Sequence, residues 1–191
     1  ALGTLNSGPS GDHTSGTGGY AVAEGWNASG TFRTVTHLIT PPIDLSNDTT
    51  PRLQFYYHMY GSDIDLLDVR VRKLGTTAWT QIHTINSTTA ASQFTSQNSA
   101  WRKHVESLSQ WAGDTIQIRF SAKRNTSFSW WTQSRVAIDD ITVEETPSCD
   151  QPLNITTSSL VSTSVQLNWT SLNTNQLGYQ IQYAQGNGGA S

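Results

Sequence analysis

Apolar residues recur along this chain with a period of two. In "RLQFYYHMY", residues 52–60, Leu53, Phe55, Tyr57 and Met59 share one parity, and Gln54, Tyr56, His58 and Tyr60 share the other. Successive side chains of an extended strand point to opposite faces, so this spacing predicts a strand with one apolar face. "LDVRVRKL", residues 67–74, repeats the pattern, with Leu67, Val69 and Val71 expected inward and Asp68, Arg70 and Arg72 outward. "DTIQIRFSA", residues 114–122, sets Ile116, Ile118 and Phe120 against Thr115, Gln117 and Arg119. "RVAIDDITVEE", residues 135–145, changes parity midway. Val136 and Ile138 fall on one face, Ile141 and Val143 on the other. A bulge or crossing at Asp139–Asp140 would reconcile the two halves.

Turn-forming clusters separate these runs: Pro41–Pro42, Ser46–Asn47–Asp48, Gly61–Ser62–Asp63 and Gly75–Thr76–Thr77. The one helix expected lies around residues 103–112. Many strands and scarcely any helix predict an all-β fold, an antiparallel β-sandwich. A second region opens after "EETPSCDQP", residues 144–152, whose prolines mark a linker over 146–152. Beyond it Val165, Leu167 and Trp169 alternate, then Tyr179, Ile181 and Tyr183. The expected division is a sandwich over 1–145 and a partial one over 153–191, too short for the about 100 residues of an immunoglobulin-like domain.

Composition narrows the function. Charged residues are 13% of the chain, about half the usual share. The net charge of −3 offers no basic footprint for nucleic acid and no polybasic membrane patch. No apolar run approaches the roughly 18–20 residues of a membrane span. A surface rich in Ser, Thr and Asn and poor in Lys points to a secreted or cell-surface protein. A single cysteine, Cys149, excludes an internal disulfide and a thiolate metal cluster. None of the five histidines, at 13, 37, 58, 83 and 104, has HExxH spacing, and no GxSxG elbow occurs. The sequence therefore predicts no enzymatic activity. Asp63, Asp65 and Asp68 read as a turn followed by a strand's solvent face, and His58 as a hydrogen-bonding residue within its sheet.

Three segments carry a family resemblance: "GPSGDHT" from residue 8, "LQFYYHMYG" over 53–61 and "RVAIDDI" over 135–141. In that order, with Trp79 and Trp101 between the second and third, they resemble the MAM domain, and the match covers residues 8–145. It implies a jelly-roll β-sandwich used in adhesion, with a first strand expected to be missing before Gly8. Asp65 stands where the family usually has glycine, and Arg135 where its last strand often begins with Asp. The tail, with its TPSCDQP linker, Trp169 and "GYQIQYA", resembles the start of a fibronectin type III domain, a pairing familiar in bacterial surface proteins.

Candidate sites follow. Asp12 lies in a glycine-rich loop, and Asp139 and Asp140 lie on the closing strand. Carboxylates brought together need a cation or hydrogen-bond donors. Calcium takes six to eight oxygens, so a structural calcium or sodium between Asp12, Asp139 and Asp140 is expected, and the resemblance implies a cation in the same place. His13 is expected to be a hydrogen-bonding residue, since hard cations avoid imidazole. Phe128, Trp130 and Trp131 stand in the polar stretch 125–135 and are candidates for stacking on a sugar or contacting a protein. Sequons occur at Asn27, Asn47, Asn86, Asn125, Asn154 and Asn168. The expected function is a non-catalytic module that binds glycan or an extracellular protein through its loops. Two alternatives are an accessory domain of a secreted hydrolase and a strand-exchanging fibre subunit that self-associates through incomplete sandwich ends.

Overall fold

A computed structural model describes residues 7–24, 35–124, 135–147, 152–161, 164–170 and 179. The chain divides into two compact units, Ala1–Glu145 and Thr146–Ser191. In the first unit the strands are β1 (Ala21–Glu24), β2 (Val35–Ile39), β3 (Ile43–Asp44), β4 (Pro51–His58), β5 (Ile64–Lys73), β6 (Thr80–Asn86), β7 (Arg102–Ser107), β8 (Thr115–Arg124) and β9 (Arg135–Glu145), with one helix, α1 (Ser87–Gln93). Two antiparallel sheets result. One runs β1-β9-β4-β7; the other runs β2-β8-β5-β6, with β3 also paired to β8. This is an antiparallel β-sandwich of jelly-roll type.

The alternating apolar residues form its core. Leu53 and Phe55 of one sheet and Val69, Val71, Ile116 and Ile118 of the other have no exposed surface. Phe55 and Phe120 meet across the layers edge to face, with ring centroids 5.1 Å apart. Such aromatic pairs add about 0.5–1.5 kcal/mol beyond the area they bury. The parity change on β9 is a bulge: Gln54 faces Thr142 while Tyr56 faces Asp139, so two steps on β4 span three on β9. Asp140 takes up the extra residue in the left-handed region, at φ 46°. Aspartate tolerates that region better than most side chains.

Two expectations need correction. Residues 103–112 are not a helix: they are most of β7, then a single 3-10 turn, Ser109–Trp111. Leu108 and Trp111 are both buried, and their spacing of three imitates a helical face. The helix that does form, α1, starts where the Asn86 side chain accepts the Thr89 N–H at 2.9 Å. Finally, Asp68 is 8% exposed rather than solvated. It is paired with Arg70 Nε at 2.5 Å and accepts Thr84 Oγ1 at 3.1 Å.

The second unit contains the antiparallel pair β10 (Leu153–Val161) and β11 (Ser164–Thr170).

Candidate functional site

Residues 7–20 form no regular element, so their backbone polar groups must find partners elsewhere. They find them just beyond the end of β4, on β9 and on the segment between α1 and β7. Gly8 N–H donates to the Tyr60 carbonyl at 2.7 Å and Ser10 N–H to the Gln97 carbonyl at 3.0 Å. Gln97 Nε2 returns a bond to the Ser7 carbonyl at 3.1 Å, and Trp101 Nε1 donates to the Gly11 carbonyl at 3.2 Å. Arg135, 7% exposed, lays its stem beside Gly8 and reaches the Ser7 carbonyl at 3.4 Å. An aspartate there could not donate this bond.

The acidic residues lie where this loop meets β9. Asp12 folds the loop on itself, accepting the Ser15 N–H at 2.9 Å and the Gly18 N–H at 2.6 Å. Its carboxyl is held below the ordinary value, first by the Ser15 N–H and then, against an opposing burial effect, by Gly18. Asp139 accepts the His13 N–H at 2.9 Å and the Asp140 N–H at 2.8 Å. Asp140 Oδ2 accepts Thr14 Oγ1 at 2.6 Å and His13 Nδ1 at 2.7 Å. Those side-chain bonds, Thr14's first, lower the Asp140 pKa. The His13 ring stacks on Tyr56 at 3.5 Å, close to parallel at 18°. Glycine-rich entrance and acidic pair, 126 residues apart in the chain, are therefore one latch.

Close approach fixes the composition of this loop. A Cβ on Gly11 would lie 2.2 Å from the Gly16 carbonyl oxygen. The loop packs on Tyr56 of the polar face of β4, and other residues of that face are buried too. Gln54 is 8% exposed and His58 fully buried. The hydrogen bond within the sheet expected of His58 is not formed, and its one candidate partner among the described residues, the Ser99 backbone, lies outside the sheet and short of good hydrogen-bond geometry. Its ring lies 4.6 Å from that of Phe94 and 5.8 Å from that of Trp101. Burial pushes its pKa down to about 4, against a weaker opposite influence of the Ser99 backbone.

Other sequence candidates fall as follows. Asp63 and Asp65 do not converge: Asp65 pairs with Lys123 at 2.8 Å and Asp63 accepts the Ser62 hydroxyl. Asn47 and Asn86 are exposed, although the Asn86 side chain is engaged in capping α1. Phe128, Trp130, Trp131, Asn27, Asn125 and Cys149 lie outside the described residues. Sequence reasoning missed Thr14, Ser15 and Tyr56 as latch residues. Trp79 was named only as a landmark of the resemblance, and its ring carries the guanidinium groups of Arg72 at 4.6 Å and Arg119 at 4.5 Å.

Together these features define a β-sandwich module whose irregular entrance is pinned across its closing strand. The family model described as "MAM domain, meprin/A5/mu" matches residues 1–150, and the chain belongs to this family. It is similar to Thyroid hormone-induced protein B of Xenopus laevis, 32% identical over 152 residues, 77% of this chain and 19% of that protein. It is 26% identical to MAM domain-containing protein 2 of Mus musculus over 75% of this chain and 18% of the relative. A shorter match, 37% identical over 70 residues, is to Neuropilin-1a of Danio rerio, covering 37% of this chain and 7% of that one. The chain thus spans less than a fifth of the length of these curated relatives. Among solved structures, the CBM22-2 xylan-binding domain of Paenibacillus barcinonensis Xyn10C is 12% identical, with a TM-score of 0.33 over 69% of this chain and 89% of that one. Among the described residues no helix is long and apolar enough to cross a membrane.

Proposed function

We propose that residues 1–145 act as a non-catalytic adhesion or recognition module of a secreted or cell-surface multidomain protein, binding glycan or an extracellular protein through the loop end of the sandwich. Membership of the MAM family supports the class. The observation that carries the binding mode is a cleft of about 750 Å³ along the latched loop, lined by Pro9, Ser10, Gly11, Thr17, Gly18 and Tyr20 among others. Tyr20 supplies a flat ring, set edge-on to Trp101 at 5.6 Å. A ring beside bare backbone suits the apolar face and hydroxyls of a sugar. A loop already fixed by its own hydrogen bonds loses little entropy on binding. Phe128, Trp130 and Trp131 belong to the same proposal as further stacking residues. The second unit we read as the opening strands of a fibronectin type III domain, supported by the β10–β11 pair and the Trp169–Tyr179 edge contact at 5.5 Å.

A glycan array and an extracellular-protein panel test this with the full chain. Tyr20→Ala is expected to weaken the best hit about tenfold, since stacking on one ring contributes about 1–3 kcal/mol in other aromatic platforms. Its melting temperature should stay close to that of the parent chain. Undiminished binding in Tyr20→Ala would move the site away from this cleft.

Calcium or sodium at Asp12, Asp139 and Asp140 is the part of the proposal that the donor geometry constrains. Carboxylate oxygens are the ligands such cations take. Here they accept N–H and O–H donors from Ser15, Gly18, His13, Thr14 and Asp140. A cation would share these oxygens with the donors. Chelation with EDTA is expected to lower the melting temperature and calcium to restore it. An unchanged melting temperature in EDTA would remove the cation from the proposal.

A further inference from the structure

The edge strands β6 and β7 belong to different sheets, yet their side chains meet. His83 comes from β6; His104 and Glu106, two apart and so on one face, come from β7. The two imidazoles stack with centroids 3.6 Å apart. Glu106 Oε2 lies 3.1 Å from His104 Nε2 and 3.6 Å from His83 Nδ1. One ligand atom from each of the three residues falls within 4.8 Å of the others, the one such group among the described residues. The side chains are 31%, 18% and 29% exposed for His83, His104 and Glu106, so the group is sheltered but reachable. Phe55 backs it from the core, 5.3 Å from the His104 ring.

We propose that His83, His104 and Glu106 form a transition-metal site, suited to zinc, that clamps the two sheets together along this edge. Imidazole favours zinc, copper and nickel over calcium or magnesium. Two histidines and a carboxylate make a three-ligand set that leaves the fourth tetrahedral position to water. Bonds of 2.0–2.1 Å at tetrahedral angles place ligand atoms roughly 3.3 Å apart. The two distances to Glu106 bracket that spacing, and the two imidazole nitrogens lie within 4.8 Å of each other. The site is independent of the cluster at Asp12, whose carboxylates suit hard cations. Because the ligands come from both layers, a bound metal opposes separation of the sheets and would stabilise the fold by mass action.

Metal-stripped full chain titrated with zinc by calorimetry and thermal melting tests the assignment. One zinc per chain is expected, with a melting temperature raised by several degrees; calcium should produce no such rise. His83→Ala and His104→Ala should each weaken zinc at least about tenfold, while His13→Ala and His37→Ala leave it unchanged. If either ligand variant fails to fold, cobalt substitution and imidazole NMR on the unaltered chain decide. They should give a tetrahedral cobalt spectrum and zinc-dependent shifts at His83 and His104. Affinity weaker than about 1 mM, zinc retained in both ligand variants, or shifts at other histidines would overturn the proposal.

Discussion

Lowering the pH from 7 to 4 is expected to remove about 3 kcal/mol of stability through His58 alone. The ring is fully buried, and burial depresses its pKa from 6.5 to about 4. Below pH 6.5 the unfolded chain takes up a proton at this position and the folded chain does not. The unfolded state then binds more protons, so stability falls as pH falls. The loss begins near pH 6.5 and ends near pH 4, where the folded form also protonates. Asp12 and Asp140 act in a separate window. Their carboxyls are held below the ordinary 3.8, so their contribution is present above that value and disappears only at lower pH. Urea unfolding at stepped pH values separates the two regimes. His58→Gln, which does not titrate, should make the profile shallower between pH 4 and 6.5, where the lowered His37 and His83 also contribute, and leave the acid limb in place. A wild-type profile flat across that interval would show that water reaches the ring.

Substituting Gly11 by alanine should open the latch. The added methyl would sit 2.2 Å from the Gly16 carbonyl oxygen and 2.9 Å from its carbon, both backbone atoms that cannot swing aside. The turn that brings Ser15 and Gly18 onto Asp12 has to widen, and the Trp101 bond to the Gly11 carbonyl is strained with it. Forced packing of this kind costs about 1–3 kcal/mol, a fall of roughly 3–10 °C for a chain of this size. Gly19→Ala is the control, because a Cβ there meets nothing within 4 Å. Loss of the cleft should accompany the loss of stability, since Gly11, Gly18 and Tyr20 all line it.

Period-two alternation made most of the sandwich legible. Leu53, Phe55, Val69, Val71, Ile116 and Ile118 were expected inside and have no exposed surface. The switch at Asp139–Asp140 was legible for the same reason, because a bulge is the one way a strand can change its buried parity without leaving the sheet. Alternation does not say what covers the other face. Gln54 fell on the polar face and His58 read as hydrogen-bonded within its sheet, and nothing local to β4 announces that both are buried. Helix α1 escaped because "STTAASQ" buries only Ala90 and so has no apolar stripe; its one signal was the capping Asn86. The pairing of loop 7–20 with β9 came from charge logic and family resemblance, and it identified Asp12, Asp139 and Asp140. The partners Thr14, Ser15 and Tyr56 were not legible, since a hydroxyl or ring in a polar loop gives no pattern that separates latch from surface. His83, His104 and Glu106 were invisible as a set, because their meeting depends on how two edge strands of different sheets are stacked.

The claim on which the rest depends is that residues 7–20 are fixed across the β4 and β9 strands. Amide hydrogen exchange read residue by residue tests it most directly, in the parent chain and in Gly11→Ala. The latch predicts slow exchange at His13, Ser15 and Gly18 in the parent, whose N–H groups are held by Asp139 and Asp12. Gly11→Ala should release Ser15 and Gly18 while Phe55 and Tyr57 in β4 stay protected. Free exchange at all three loop amides in the parent chain, beside a protected β4, would contradict the account.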